Sequence, residues 1–532
     1  MPEHLRALVF IMALTPLTFL IVQTPVTQGI IDRSDYLRRR NLWIAFTLIA
    51  FLAHSFWIYI AAVAALVWGA MKVERHRLAM FFFLVLALPR IWDTIPLFGG
   101  LNELFAIDYV RLLSLTILLP AALQLTTRPD APPFGRLLPD KLLLLYLALQ
   151  AILTFEDGTV TSILRRGVFY AMTDVLLPYY LASRSLVSLR AFRDTLGSFA
   201  VGAIVMSPIL VTEFRFGWLL YAAVDEALGL HWEWNGYVMR GSNLRALGTM
   251  GHPIVAGSVA MVATGFYLYL ARHIKKPSMR VLGGAVITAG AVAALSRAPW
   301  VGTAGIILLY MAMGPKALRQ LGKLALVGVA CLPLLVGTQQ GQAIIDHLPW
   351  IGTVDARNVE GREQLATVSF EVFLRNPWFG RLDYLLDPDM ESLRGSDNII
   401  DVVNTYVSVG LSSGIVGLGL FVAFFVACGY AAFRALLRVR DRTSELHALG
   451  RCLLSTLVAL LFVISTMSFE LIMPLLCWSI AGLCVGFANL VDAGEPEPRP
   501  DTPQARPAPR AERRWLTPRH APDGVPAERT TP

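Results

Sequence analysis

The chain has 532 residues, 55% of them hydrophobic and 16% charged, with a formal net charge of +8 and a mean hydropathy of +0.57. Soluble proteins carry roughly 25% charged residues; here the charges lie between apolar runs of roughly 15–25 residues, which excludes a soluble globular protein and a strand-alternating barrel. The positive balance comes from short basic loops and reports membrane topology, not nucleic-acid binding.

The first apolar run, 8–22, lacks a basic leader and a small-residue cleavage site, so it reads as a retained helix whose sidedness stays open. Arg38, Arg39 and Arg40 mark a cytoplasmic loop. The run 42–71 is interrupted at His54 and Ser55. A hairpin of two short legs, 42–52 and 56–71, keeps that Arg cluster and the basic residues at 72–77 on one side. Apolar runs at 78–88 and 109–125 follow, separated by a mixed stretch, 90–108, that suits the outer interface. Runs at 141–155 and 167–181 come next. Asp174 falls inside the second; an ionisable group there needs a partner, and Arg166 is two turns away, so the partner must come from another helix. After 199–212 comes an outer segment, 213–251, with Trp218, Tyr221, Trp232 and Trp234, an aromatic density that fits the membrane interface. Further runs at 254–271, 281–295, 300–313 and 324–336 alternate between basic and non-basic ends.

Residues 339–403 form the longest polar interval, with seven Asp, four Glu, five Arg and no Lys. A net-acidic, Lys-free loop between spans with basic opposite ends should face away from the cytoplasm. Runs at 406–433, 452–467 and 472–491 follow, with Glu470 in the outer turn of the last pair. From Asp492 onward the chain has ten Pro and almost no apolar periodicity, the composition of a disordered cytoplasmic tail. The expected fold is an all-α polytopic membrane protein with about 12–15 transmembrane helices and one large periplasmic loop. Its parts are an N-terminal helix bundle (1–338), the loop (339–403), C-terminal helices (404–491) and the tail (492–532). The five Cys lie in or beside apolar runs without a CxxC, so they read as small core residues. No internal repeat is visible, which argues against inverted-repeat transporters.

Few residues combine reactivity with an outer position. Arg245 precedes a Gly-rich turn, Gly248 to Gly251, then His252 and Pro253 at a helix start. Free backbone N–H groups at a helix start beside an Arg attract phosphate; an interfacial Arg that only snorkels is the plainer reading. Arg297 sits in a tight turn between two apolar runs and has the same two readings. Arg362 opens an amphipathic helix whose apolar residues Leu365, Val368, Val372 and Phe373 suggest that it lies on the membrane-facing surface. Glu360, Asp397 and Asp401 are candidate general bases, although loop solvation is the simpler role for each. His54 and His252 lack companions at ligand spacing, so no metal site is expected.

Four stretches in this order resemble the O-antigen ligase and Wzy-type polymerase superfamily of bacterial envelope enzymes: Arg245-Ala-Leu-Gly-Thr-Met-Gly-His-Pro, Leu295-Ser-Arg-Ala-Pro-Trp, Gly361-Arg362 through Arg375-Asn-Pro-Trp-Phe-Gly, and Asn404-Thr-Tyr through Gly414-Ile-Val-Gly. They cover about 240–420. The resemblance implies a metal-independent glycosyltransferase of the bacterial inner membrane that needs no cofactor. Its partners would be an undecaprenyl-pyrophosphate-linked glycan, an acceptor glycan, the lipid bilayer and, as a further candidate, a chain-length regulator. It assigns Arg245 and Arg297 to the pyrophosphate, with Arg362, Glu360 and His252 near substrate and Asn404 holding the acceptor or capping its helix. Ligases of this kind carry His just before that Asn. Val403 stands there, which moves the expectation from ligase to polymerase and leaves the base open among Asp401, Asp397, Glu360 and His252. A lipid-linked oligosaccharide flippase and a cell-wall elongation polymerase are the remaining readings; the first would need Asp174 on its path, and the motifs of the second are not found.

Overall fold

The computed structural model of the chain describes residues 1–95, 105–128, 132–157, 163–230, 236–338, 356–395 and 400–494. Among them the protein is almost wholly helical, and seven helices are long and apolar enough to cross a membrane. It is a multi-pass, all-α membrane protein. Helices α1 (Glu3–Thr27), α2 (Arg33–Leu52), α3 (Phe56–Met71) and α4 (Arg77–Leu84) come first. A short hairpin of β1 (Trp92–Thr94) and β2 (Ala106–Asp108) leads into α5 (Tyr109–Thr126). Helix α6 (Leu138–Leu153) is followed by α7, a π-helical Ile163–Leu176 continued by Leu177–Arg184. Then come α8 (Leu189–Phe216), the short α9 (Ala223–Ala227), and a second hairpin, β3 (Met239–Arg240) with β4 (Asn243–Leu244). Helices α10 (Pro253–Leu270), α11 (Pro277–Ala293), α12 (Arg297–Ala312) and α13 (Ala317–Gly337) precede the acidic interval. Its helix is α14 (Ala356–Arg375), and α15 (Thr405–Arg438), α16 (Glu445–Val463) and α17 (Met473–Asp492) complete the bundle.

The break at His54 is real, with φ 51°, but the first leg of that hairpin is not short. Helix α2 starts at Arg33, and its polar first turns are absorbed by pairing. Arg39 is fully buried between Glu74 (2.6 Å) and Asp194 (2.6 Å), and its Nη1 also donates to the Ser198 hydroxyl. Arg38 bridges Glu74 and Asp35, and His76 Nδ1 lies 2.6 Å from Asp194. Buried charges persist only when paired and hydrogen-bonded in this way. A second buried pair, Arg184 with Asp140 (2.5 Å), is completed by the Tyr179 hydroxyl, which donates to the same carboxylate. Asp174 has the cross-helix partner its position demanded: Arg111 of α5 donates to it at 2.9 Å. The start of α1 lies beside the end of α8, where Trp218 Nε1 donates to Glu3 and Arg6 sits over the Trp218 ring. The N-terminus is therefore at the end opposite the basic clusters, called the outer end below.

Helix α15 is broken at Gly414 (φ 64°, ψ −168°). The turn that follows α14 fills the break. Arg381 N–H donates to Leu411 C=O, while Ile415 and Val416 N–H donate to Pro377 and Trp378 C=O. The interval thereby joins the bundle through backbone hydrogen bonds. Its helix α14 does not turn its apolar stripe to the membrane as expected. Leu365, Val368, Val372 and Phe373 pack with Met390, Val402 and Leu411 in a small core of the interval's own. Phe370 and Leu374 lie on the exposed side instead.

Candidate functional site

The Gly-rich turn after Arg245 is moulded by a buried carboxylate. Helix α8 runs past the expected start of the outer segment, so Glu213 is inside it and fully buried. Its oxygens accept the backbone N–H groups of Gly248 (2.8 Å), Leu247 (3.0 Å) and Leu220 (3.1 Å). Three backbone donors satisfy the carboxyl oxygens and hold the turn. The Thr249 hydroxyl donates to Leu86 C=O, and Arg90 N–H donates to Thr249 C=O at 3.1 Å. Gly251 is left-handed, φ 74°, and a Cβ there would sit 2.1 Å from Arg90 Cδ. The Arg90 side chain thus lies across a site that only glycine leaves open.

His252 is the N-cap of α10, its Nδ1 accepting the Ile254 N–H at 3.3 Å. Burial, with Arg245 and Arg90 nearby, lowers its pKa to about 4. The ring is neutral at neutral pH with its proton on Nε2, so it can donate a hydrogen bond but is a poor base.

The Arg297 turn is fastened to the Arg245 turn. Ala246 N–H donates to Ala293 C=O at 3.1 Å, and Arg240 Nη1 donates to Leu295 C=O at 2.7 Å. Leu295 takes φ 43°, which folds the chain sharply before Arg297 opens α12. Gly257, in the second turn of α10, packs against Pro299 and Ser296. Two arginines 52 positions apart (297 − 245) in sequence therefore stand on adjoining turns of one outer layer.

Carboxylates border this layer. Arg90 is in Coulombic reach of Glu470, Asp108 and Asp225, and burial holds its guanidinium below the usual range. Asp225 of α9 is only 5% exposed. Burial raises it to about 7 against the opposing pull of Arg90. Glu470 is pushed up as well, first by crowding that strips it of water and then by Asp401, with Arg90 opposing. Asp401 accepts the Ser468 hydroxyl, and Thr405 donates to Met467 C=O at 2.9 Å, so the exit of the interval is pinned to the turn carrying Glu470. The Asn404 side chain is a helix cap, accepting Tyr406 and Val407 N–H at 3.0 and 3.3 Å. Val403 packs on the interval's small core.

Of the residues singled out from sequence, Arg245, His252 and Arg297 share the outer layer, and Asp401 reaches it through Glu470. Arg362 is exposed on α14 and makes no ion pair among the described residues. The Glu360 side chain and Asp397 lie outside the described residues. Arg90, Asp225 and Glu470 were missed. Arg90 had a readable signal: like Arg297, it is a lone Arg at the outer end of an apolar run, against the usual charge bias.

Residues 282–422 match the O-antigen ligase family (Wzy_C), which is about a quarter of the chain. The matched part contains Arg297, Arg362, Asp401 and Asn404; Arg90, Asp225, Arg245 and His252 precede it. No curated protein matches the chain.

Proposed function

We propose that this protein is a membrane-embedded glycosyltransferase that moves a glycan from an undecaprenyl-pyrophosphate carrier to an acceptor glycan at the periplasmic face of a bacterial inner membrane. One observation carries the reading. Three arginines, Arg90, Arg245 and Arg297, stand on backbone turns tied to one another at the outer end, beside a neutral His252. Such a layer suits a pyrophosphate leaving group, whose negative charge grows as the anomeric C–O bond breaks. Guanidinium groups bind phosphate oxygens in planar pairs, and the low dielectric of the membrane surface strengthens the attraction.

On the acceptor side, Glu470 is the proposed general base. It is accessible, raised in pKa, and adjoins both Arg90 and Asp401, so it can take a hydroxyl proton near the breaking bond. Asp401 raises its proton affinity. Arg362, on the exposed face of α14, and Asn404, as a cap, are assigned to shaping the interval.

Val403, where ligases of the resembling superfamily carry His, favours polymerisation of repeat units for O-antigen, capsule or exopolysaccharide. The family match over 282–422 supports the second reading, transfer to lipid A core. Replacing Arg245 and Arg297 singly by Ala tests the chemistry: both variants should insert normally and lose long-chain polysaccharide, and normal chain length in both would overturn the proposal. Polymer that accumulates on its carrier without reaching lipid A core would assign the ligase reading.

A further inference from the structure

At the opposite, basic end of the bundle, a cavity of about 630 Å³ opens between α10, α12, α13 and α16. Four cations line it: Arg272, Lys323, Arg442 and Arg451. No carboxylate is among the lining residues. The acids in the adjoining loop are engaged elsewhere. Asp441 accepts the N–H and hydroxyl of Thr443, and Glu445 is taken by Arg193, His273 and Tyr269.

Arg451 is the decisive member. It lies in the second turn of a membrane helix and is only 8% exposed. Its guanidinium stacks over the Tyr310 ring at 4.2 Å, and Nη1 donates to Tyr310 C=O at 2.9 Å. Its Nε has no hydrogen-bond partner, and it pairs with no carboxylate among the described residues. A guanidinium this deep is costly without an anion. The ion-paired Arg39 and Arg184 of the same protein show the usual remedy. Arg272 donates to Ser444 and Thr443 C=O, which fixes the rim of the cavity. The wall on the α13 side is apolar, with Leu324 and Val327 exposed along the helix.

We propose that this cavity is a binding site for the phosphate headgroup of an anionic phospholipid from the leaflet at the basic end, with Arg451 at its floor and an acyl chain along Leu324 and Val327. Basic pockets between membrane helices on this side suit such headgroups. The apolar wall leading out of a cationic floor distinguishes a lipid from a soluble anion. The site is separate from the outer layer and does not depend on the transfer chemistry.

The test uses the full chain, purified in a neutral detergent and titrated with phosphatidylglycerol, phosphatidylcholine or soluble glycerol phosphate. Bound lipid is counted by native mass spectrometry. Phosphatidylglycerol should be retained at least tenfold more tightly than phosphatidylcholine, and Arg451→Gln should remove that preference. As a control against misfolding of Arg451→Gln, Lys323→Gln with Arg442→Gln, both at exposed positions, provides a second arm and should weaken retention severalfold. Equal retention of the two lipids, or a preference unchanged in the folded variants, overturns the proposal. Glycerol phosphate binding as tightly as phosphatidylglycerol also overturns it, in favour of a soluble anion.

Discussion

Gly380 and Gly414 meet backbone to backbone. A Cβ on Gly380 would sit 2.4 Å from Leu411 O and 2.6 Å from Gly414 N, and one on Gly414 would sit 2.2 Å from Trp378 O. Both have positive φ, 65° and 64°, which L side chains rarely adopt. The polar interval is thereby plugged into a break in α15, and the carbonyls and N–H groups freed by the break are taken up by residues 377–381. Such breaks are tolerated at membrane depth only when the freed backbone groups are satisfied again.

Alanine at Gly414 should undo this joint. The backbone region is essentially reserved for glycine and costs about 1–3 kcal/mol for other residues, and the added methyl meets main-chain atoms that cannot swing aside. Gly414→Ala and Gly380→Ala are expected to lower the melting temperature and make the interval sensitive to protease. Gly419→Ala, in the same helix with no atom within 4 Å of the new Cβ, should behave as wild type. Equal stability of all three variants would count against the joint.

Arg90 should matter as much as Arg245 and Arg297. Removing one donor to developing charge typically costs about 10²–10³ in rate. Arg90→Ala should therefore shorten the polysaccharide to the extent seen for Arg245→Ala, with insertion unchanged. Arg90→Lys keeps the charge and loses the planar donor pair, and should fall between the two. Full-length polymer from Arg90→Ala would remove Arg90 from the site.

The proton affinity of Glu470 gives a signed pH test. Its carboxyl is raised, so transfer should slow as pH falls through that raised value. Glu470→Gln should lose about 10²–10⁴ in rate at all pH values. Asp401→Asn removes the like charge that raises Glu470, so it should move the acid limb to lower pH and keep most activity at neutral pH. A limb that stays in place would separate the two carboxylates.

His252 makes the opposite linkage. Its folded pKa, about 4, is below the ordinary value near 6.5, so its stabilising contribution is present above about 6.5 and is lost as pH falls through about 4. His252→Asn keeps an N-cap oxygen and carries no titration. Its melting temperature should match wild type at pH 7.5 and fall less on going to pH 4. Thermal melts at the two pH values decide it.

Asp174 is paired, and Arg111 also lies 3.5 Å above the Tyr170 ring. Asp174→Asn should cost about 1–3 kcal/mol, the penalty for leaving a partner unsatisfied. Arg111→Gln combined with Asp174→Asn should recover part of that. Polymerisation should persist in whatever protein folds. Blocked carrier translocation with a normal melting temperature would instead favour a flippase.

The outer layer was partly legible. Arg245 and Arg297 could be found because each stands in a local motif, a Gly-rich turn before a helix start and a tight turn between two apolar runs, and both motifs resemble those of one family. Glu470 was visible as an outer residue but had no stated role, because its pKa depends on Asp401, 69 positions earlier (470 − 401), and on Arg90 far upstream. Asn404 could be read as cap or acceptor ligand, and its side-chain bonds show a cap.

Hydropathy and charge along the chain by themselves determined that this is a multi-pass helical membrane protein, and where its helix hairpins turn, as at His54. Those properties are set by each segment's own exchange between water and lipid. Only the tertiary structure decided which helix ends meet. The packing of α4 against α8 and of α8 against α10 brings Arg90 to Thr249 and within reach of Glu470, that of α5 against α7 assigns Arg111 to Asp174, and residues 377–381 are seated in the break of α15 at Gly414. Those pairings join segments 63 or more residues apart, or depend on a backbone break that no local periodicity encodes.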